Sequence, residues 1–390
     1  MFTDLDRKYM LRALALAERG LYTTTPNPRV GCVLVRDGEV IGEGSTQLAG
    51  QSHAEVEALN DARARGMTAR GASAYVTLEP CSHFGRTPPC VNALLKSGIM
   101  RVIAAMEDPN PLVSGKGFES LRKAGVEVRC GLLEHEAREL NLGFISRMTR
   151  ARPWVRAKIA ASLDGATALH DGKSQWITGT AARIDGHAWR ARACAVMTGI
   201  GTARLDNPRL TVREVQTPRQ PLRILLDSNL EVDLESNLVK IGNLLIVCAR
   251  RDPFKEQELI DRGCDLLHLP NLHGRVDLGL LMHKLGERGI NELHVEAGSR
   301  LNGALLRDGC IDELLIYLAP SLLGTGRAMF DLPLLGDLGE RWPLRFHDTS
   351  KVGDDLRILA RFAVDASAGE TPPDSSLPVH SVAEEDAERP

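Results

Sequence analysis

The chain has 390 residues, 43% of them hydrophobic and 25% charged, and carries a net charge of −3. That length predicts two domains, each with room for its own core. The slight acidity argues against a nucleic-acid scaffold, which would show a basic face, and no apolar run reaches membrane length. Eight cysteines without a secretory leader fit reduced thiols, so the cytoplasm is the expected compartment.

In chain order, an amphipathic helix over residues 5–19 leads to a strand at 30–35, an Asp37-Gly38 hairpin turn and a strand at 39–44. A helix at 53–65 follows the small-residue turn 49–52. The strand at 73–78 is stopped by Pro80, and Pro88-Pro89 opens a helix at Cys90. A strand at 101–106, a helix at 118–124 and a strand at 126–130 complete a sheet flanked by helices, with parallel later strands. Between them, Asp108-Pro109-Asn110-Pro111 and Gly115-Lys116-Gly117 form a polar loop after a strand. Ligand crevices favour such places, although a plain proline-rich turn has the same composition.

The chemistry of this half lies in His53, Glu55, Cys81 and Cys90. One imidazole and two thiolates suit Zn²⁺ and leave a fourth position for water. A carboxylate beside such an open site is the arrangement by which nucleobase deaminases activate water against an amino-bearing ring carbon. Residues two apart on a helix point to opposite sides, so His53 and Glu55 can share a site only with His53 at the cap. Cys90 at a helix N-terminus has its thiolate favoured by the dipole. The usual signature separates the cysteines by two residues, whereas here residues 82–89 intervene. A closed structural site would need a fourth ligand, Cys32 or His83, but Cys32 reads as a buried strand residue.

A basic, proline-ended link at 149–153 is the expected boundary. Strands are then predicted at 154–160, 195–198, 222–227, 244–249, 265–269 and 292–296, with helices at 181–192, 254–262, 276–288 and 300–308. The last strands, at 312–318, 344–347 and 356–363, have little helix between them and predict an antiparallel edge. Thr198-Gly199-Ile200-Gly201-Thr202 reads as a turn after a strand, and Gly298-Ser299-Arg300-Leu301-Asn302-Gly303 as a turn opening a helix. Both could present backbone N–H groups to phosphate, yet neither copies the dinucleotide fingerprint. From about residue 365 the composition is that of a disordered, dispensable tail.

Several motifs together resemble the bifunctional deaminase/reductase family of riboflavin biosynthesis. They are Thr25-Pro26-Asn27-Pro28-Arg29-Val30-Gly31-Cys32, His53-Ala54-Glu55-Val56, Glu79-Pro80-Cys81 through Pro88-Pro89-Cys90, and Asp108-Pro109-Asn110-Pro111. The second half adds Ala161-Ser162-Leu163-Asp164-Gly165, Ser174-Gln175-Trp176-Ile177-Thr178, Asp206-Asn207-Pro208-Arg209-Leu210-Thr211 and Val295-Glu296-Ala297-Gly298. The eight-residue gap between the cysteines is this family's own pattern. The resemblance implies an α/β chain, with a cytidine-deaminase-like three-layer domain (1–147) followed by a dihydrofolate-reductase-like domain (148–364) and a tail (365–390).

It further implies zinc-dependent deamination of a diaminopyrimidinone ribotide, then NADPH-dependent reduction of ribosyl to ribityl. His53, Cys81 and Cys90 carry over as zinc ligands and Glu55 as proton shuttle. Ala160, Trp176, Thr202, Asp206, Ser228, Gly298, Ser299, Arg300, Leu301, Asn302, Gly303 and Ala304 carry over as NADPH contacts. Ser174, Arg190, Leu210, Arg213 and Glu296 carry over as substrate contacts; guanidinium groups suit a sugar phosphate. The implied partner is the small-molecule ribotide, with no nucleic acid or membrane, in a homo-oligomer. A tRNA-type deaminase shares the zinc signature, but the acidic balance and the large second half oppose it. A non-catalytic nucleotide binder would have no use for Glu55.

Overall fold

The computed structural model describes residues 1–84, 88–111 and 113–362. Gly85, Arg86 and Thr87 of the cysteine-bearing stretch, and the expected tail, lie outside the described residues.

The first half runs α1 (Asp4–Glu18), β1 (Gly31–Arg36), β2 (Glu39–Ser45), α2 (Ala54–Ala64), β3 (Ser73–Val76), α3 (Cys90–Ser97), β4 (Arg101–Ala104), α4 (Lys116–Lys123) and β5 (Glu127–Cys130). Its five-stranded sheet has the order β2-β1-β3-β4-β5. β1 is antiparallel to β2 and β3, and β3, β4 and β5 are parallel. The hairpin turn is as expected: Asp37 and Gly38 both take positive φ, and Arg36 pairs with Glu39. Thr3 caps α1 in a reciprocal box with Asp6.

Pleating sends Gly31 toward α1 and its neighbour Cys32, with cross-strand Gly42 and Gly44, toward α2 on the other face. A Cβ on Gly42 would lie 2.3 Å from the Ala58 carbonyl oxygen, and one on Gly44 2.4 Å from that of Ala54. Only glycine lets α2 press this close, and that approach carries the start of α2 onto the sheet.

Two helices that periodicity did not single out follow, α5 (Glu134–Leu140) and α6 (Leu142–Arg150). The expected 147/148 division falls inside α6, and the chain turns only at Ala151, with φ 53. The helix forms because its apolar positions face neighbouring elements, while its last two residues, Thr149 and Arg150, read as the start of the link in isolation.

The second half contains β6 (Trp154–Ser162), α7 (Thr180–Arg192), β7 (Ala195–Gly199), α8 (Ile200–Asp206), β8 (Leu222–Leu226), α9 (Asn237–Lys240) and β9 (Leu244–Cys248). It continues with α10 (Pro253–Asp261), β10 (Cys264–His268), α11 (Leu278–Glu287), β11 (Glu292–Val295), α12 (Ser299–Arg307), β12 (Glu313–Ala319), β13 (Leu344–Val352) and β14 (Asp355–Phe362). Nine strands form one sheet in the order β10-β9-β8-β7-β11-β6-β12-β14-β13. It is parallel as far as β12, then antiparallel through β14 and β13, the expected edge. The 198–202 turn turns out to open a helix, α8, capped by Gly199.

The halves meet at a buried charge cluster. Glu292, at the start of β11, accepts from Arg29 of the first half at 2.6 Å, from Arg192 at 2.8 Å and from Arg156 at 3.2 Å. Arg156 also bonds Glu313, and Arg361 bridges Glu313 to Glu139 of the first half. The Arg156 guanidinium stacks 4.3 Å from the Trp189 ring centroid.

Candidate active sites

The zinc-type residues converge. His53 is the N-cap of α2 with extended backbone (φ −79, ψ 165), so its imidazole swings back beside Glu55 instead of pointing away. Pro89 caps α3 and makes Cys90 its first residue, while Pro80 releases Cys81 from the end of the β3 segment. His53 Nδ1 lies 3.5 Å from Cys81 Sγ and 3.3 Å from Cys90 Sγ, and the three ligand atoms fall within 4.8 Å of one another. A tetrahedral Zn²⁺ spaces N and S ligands about 3.6 Å apart. Donor set and spacing therefore fit zinc. Among the described residues, this is the one group of three or more His, Cys, Asp or Glu side chains close enough to hold a metal. Cys32 is fully buried in β1, as read from sequence, and is not in the group.

The electrostatics match the chemistry. Burial, with the nearby Cys81 charge, lifts the Glu55 carboxyl to about 7. A hydrogen bond from Cys90 holds Cys81 down to about 4, and the same pairing pushes Cys90 up. A divalent cation would keep both as thiolates.

Sequence reasoning missed the work of Glu79. This buried carboxylate accepts N–H bonds from Asp108 (3.1 Å), Gly115 (3.0 Å), Gly117 (2.8 Å) and Phe118 (3.3 Å). It thereby ties the described part of the loop before α4, and the first turn of that helix, to the segment that carries Cys81. The loop borders a cavity of about 540 Å³ with Glu107, Asp108, Pro109 and Pro111 in its wall. Burial raises the Asp108 carboxyl to about 6.

In the second half the candidate contacts gather at the carboxyl ends of parallel strands, where open α/β sheets take ligands. Ala160 is near the end of β6, Ser228 follows β8, and Glu296 with Gly298 follows β11. Thr202 and Asp206 lie on α8. The two glycine turns sit side by side: a Cβ on Gly298 would be 3.7 Å from Thr202 Oγ1, and one on Gly199 3.2 Å from Leu301. Gly298 caps α12, which starts with Ser299, Arg300 and Leu301, so free N–H groups and the dipole face outward. This cradle fits a dinucleotide phosphate.

Asn302 is buried and props the turn, donating to the Ala297 and Met329 carbonyls. Gly303 allows the Asp331 backbone to pass, and Ala304 continues the helix. Burial raises the Asp206 carboxyl and nearby Ser174 opposes the shift, and exposed Trp176 lies under Arg183 at 4.7 Å.

The substrate candidates divide. Arg190 commits its fork to Glu296, with Nη2 to Oε2 at 2.8 Å, and gives Nη1 to the Thr211 carbonyl at 2.9 Å. Arg213 is exposed on the neighbouring loop. Leu210, at φ 52, buries its side chain in the core, so only its backbone is open to a ligand. One further residue escaped the sequence reading. Lys158, on β6, has its amine pushed down by burial and faces the charges of Glu296 and Arg190. A single lysine in an apolar strand gives no signal until its neighbours are known.

A model of the cytidine and deoxycytidylate deaminase zinc-binding region matches residues 3–106, and one of the RibD C-terminal domain matches residues 153–357. The riboflavin biosynthesis protein RibD of Escherichia coli (strain K12) is 45% identical over 365 residues, which cover 90% of this chain and 98% of that protein. The solved structure of Acinetobacter baumannii RibD is similar with TM-score 0.85 at 41% identity, covering 92% of this chain and 99% of that one. A Thermotoga maritima diaminohydroxyphosphoribosylaminopyrimidine deaminase/5-amino-6-(5-phosphoribosylamino)uracil reductase gives TM-score 0.82 at 33% identity over the same shares. With a deaminase zinc-binding region followed by a reductase domain, and likeness sustained across both, the chain belongs to the RibD family of riboflavin biosynthesis proteins.

Proposed function

We propose that the first domain, about residues 1–147, deaminates 2,5-diamino-6-(ribosylamino)pyrimidin-4-one 5′-phosphate, and that the second, about 148–364, reduces the product's ribosyl group with NADPH. The observation that carries this reading is the meeting of His53, Cys81 and Cys90 beside buried Glu55. Zinc held by these three residues supplies Lewis-acid activation of water at neutral pH. Glu55, buried beside the three ligands, takes the water's proton and hands it to the departing amine. In the reductase, bound NADPH would supply hydride to C1′ of the ring-opened imine of the ribosylamine, the C1′–O4′ bond having broken with O4′ taking up a proton. Gly298 and Ser299 offer N–H groups to the cofactor phosphate, Arg213 meets the sugar phosphate, Glu296, held ionised by Arg190, stands as a substrate contact, and Lys158, whose amine burial pushes down, stands as the proton carrier. Following ammonia and nicotinamide absorbance with the diamino ribotide and NADPH tests both halves. Absence of either signal from folded protein refutes the corresponding step.

The cofactor should be NADPH in preference to NADH, and equal affinities in a binding titration would refute this. Gly201 has open space around the position of a Cβ, so Gly201→Asp should fold. Its carboxylate would oppose the pyrophosphate, weakening NADPH binding about tenfold or more while ammonia release stays normal.

The expected setting is the cytoplasm, supported by eight cysteines of which none is in a disulfide. No helix among the described residues is long and apolar enough to cross a membrane. The chain is proposed to act as a homo-oligomer. β13 supports this by leaving a nine-residue outer edge with Phe346 exposed, a surface that invites pairing. Sedimentation as a monomer at micromolar concentration would rule it out.

A further inference from the structure

Residues 22–29 belong to the deaminase half, yet much of their grip comes from the reductase half. Asn291 Nδ2 donates to the Pro26 carbonyl at 3.0 Å. Its Oδ1 accepts from Arg147 Nε at 2.6 Å, and Arg147 Nη2 donates to the same Pro26 carbonyl at 3.1 Å. Glu292 holds Arg29, Arg219 Nε donates to the Tyr22 carbonyl at 2.8 Å, and Thr25 Oγ1 lies 3.4 Å from Cys194 Sγ. Gly289 packs against the Pro26 ring.

The other end of this segment enters the frame of the zinc site. Gly31 N donates to Thr77 Oγ1 at 3.1 Å, and Thr77 N returns a bond to the Gly31 carbonyl at 3.1 Å. Thr77 stands four residues before Cys81. Cys32 pairs with Val76 and lies within electrostatic reach of Glu55. The segment thus joins the sheet at the end where the metal ligands collect. Its backbone carbonyls at 22 and 26 are occupied by side chains from outside its own sheet, so its path is set by the partner domain.

We infer that Asn291, a reductase-domain residue, is a positioning residue for deamination: its bond to Pro26 fixes the segment that frames the zinc site. The bond touches neither a metal ligand nor Glu55. Its loss should therefore loosen substrate binding and leave the proton transfer intact. It also sits at the N-terminal end of β11, away from the carboxyl-end crevice where NADPH is placed.

Asn291→Asp tests this in the full-length zinc-loaded enzyme. The isosteric carboxylate keeps the acceptor for Arg147 and removes the donor to Pro26. The expected result is a KM for the diamino ribotide raised about tenfold, with kcat within about twofold and zinc content unchanged. NADPH oxidation with the already deaminated substrate should be unaltered. A deaminase KM within about twofold of the unmodified enzyme would overturn the inference. So would parallel losses in both reactions, the mark of a general structural role. Should that variant not fold, Asn291→Ala removes the donor to Pro26 without adding a charge, and the same outcomes decide. The inference rests on the zinc centre being the deamination site. Failure of that reading would show separately, as no ammonia from the unmodified enzyme.

Discussion

Glu55→Gln should release ammonia about 10²–10⁴ times more slowly than the unmodified enzyme, the usual worth of a positioned general acid–base. The substitution preserves size and leaves His53, Cys81 and Cys90 in place, so bound zinc should remain at one per chain. The same protein should still oxidise NADPH when given the deaminated ribosylamino-uracil phosphate, because the proposed cofactor contacts all lie in the second half. Cys81→Ser and Cys90→Ser supply the contrast: each removes a thiolate ligand and should lose the metal along with ammonia release. Asp206→Ala is the reciprocal case, releasing ammonia normally and accumulating the intermediate. Full zinc retention in both cysteine variants would sink the metal assignment. Loss of reduction in folded Glu55→Gln protein would sink the two-site arrangement.

The second large effect is on stability. Glu292→Gln should destabilise the folded chain by about 3–5 kcal/mol, because it leaves Arg29, Arg156 and Arg192 facing a neutral group inside the interface. Burial alone would raise the Glu292 pKa, but the three guanidiniums outweigh it and hold the carboxyl well below the ordinary range. The sign of the pH effect follows. A depressed folded pKa contributes stability that is fully present above the unfolded value, about 4.3, and is lost as pH falls from there toward the folded value. Melting temperatures of the two proteins should be far apart at pH 7 and converge below about pH 4. An unchanged melting temperature at pH 7 would show that the cluster contributes no net stability.

Much of this was legible in the sequence because it depends on local rules. Period-two and period-3.6 patterns located most of the strands and helices to within a few residues. Asp37-Gly38 fixed a hairpin whose two positive φ values those residue types accommodate. The placement of His53 at a cap followed from helix geometry alone, since no other arrangement brings it to Glu55. Proline before Cys81 and before Cys90 marked where the chain leaves a strand and enters a helix. Those are positions from which ligand atoms can converge.

What the tertiary structure decided was pairing between residues far apart in the chain. The link read at 149–153 begins as the last two residues of α6 and turns at Ala151, because α6 is held by partners of Arg147, Asn291 and the Pro26 carbonyl, that lie far off in sequence. Arg190 reads as a free cation for phosphate until Glu296, 106 positions away, takes its fork. Glu79 opens the Glu79-Pro80-Cys81 motif and Lys158 belongs to none, yet in neither case is the role legible, because it comes from loop amides and charges contributed by other segments. The sequence by itself determined most of the elements, the metal-ligand chemistry and the family. Which charges neutralise one another, and which domain holds the rim of the zinc site, depended on long-range packing, because a buried charge takes its meaning from the partner that folding places beside it.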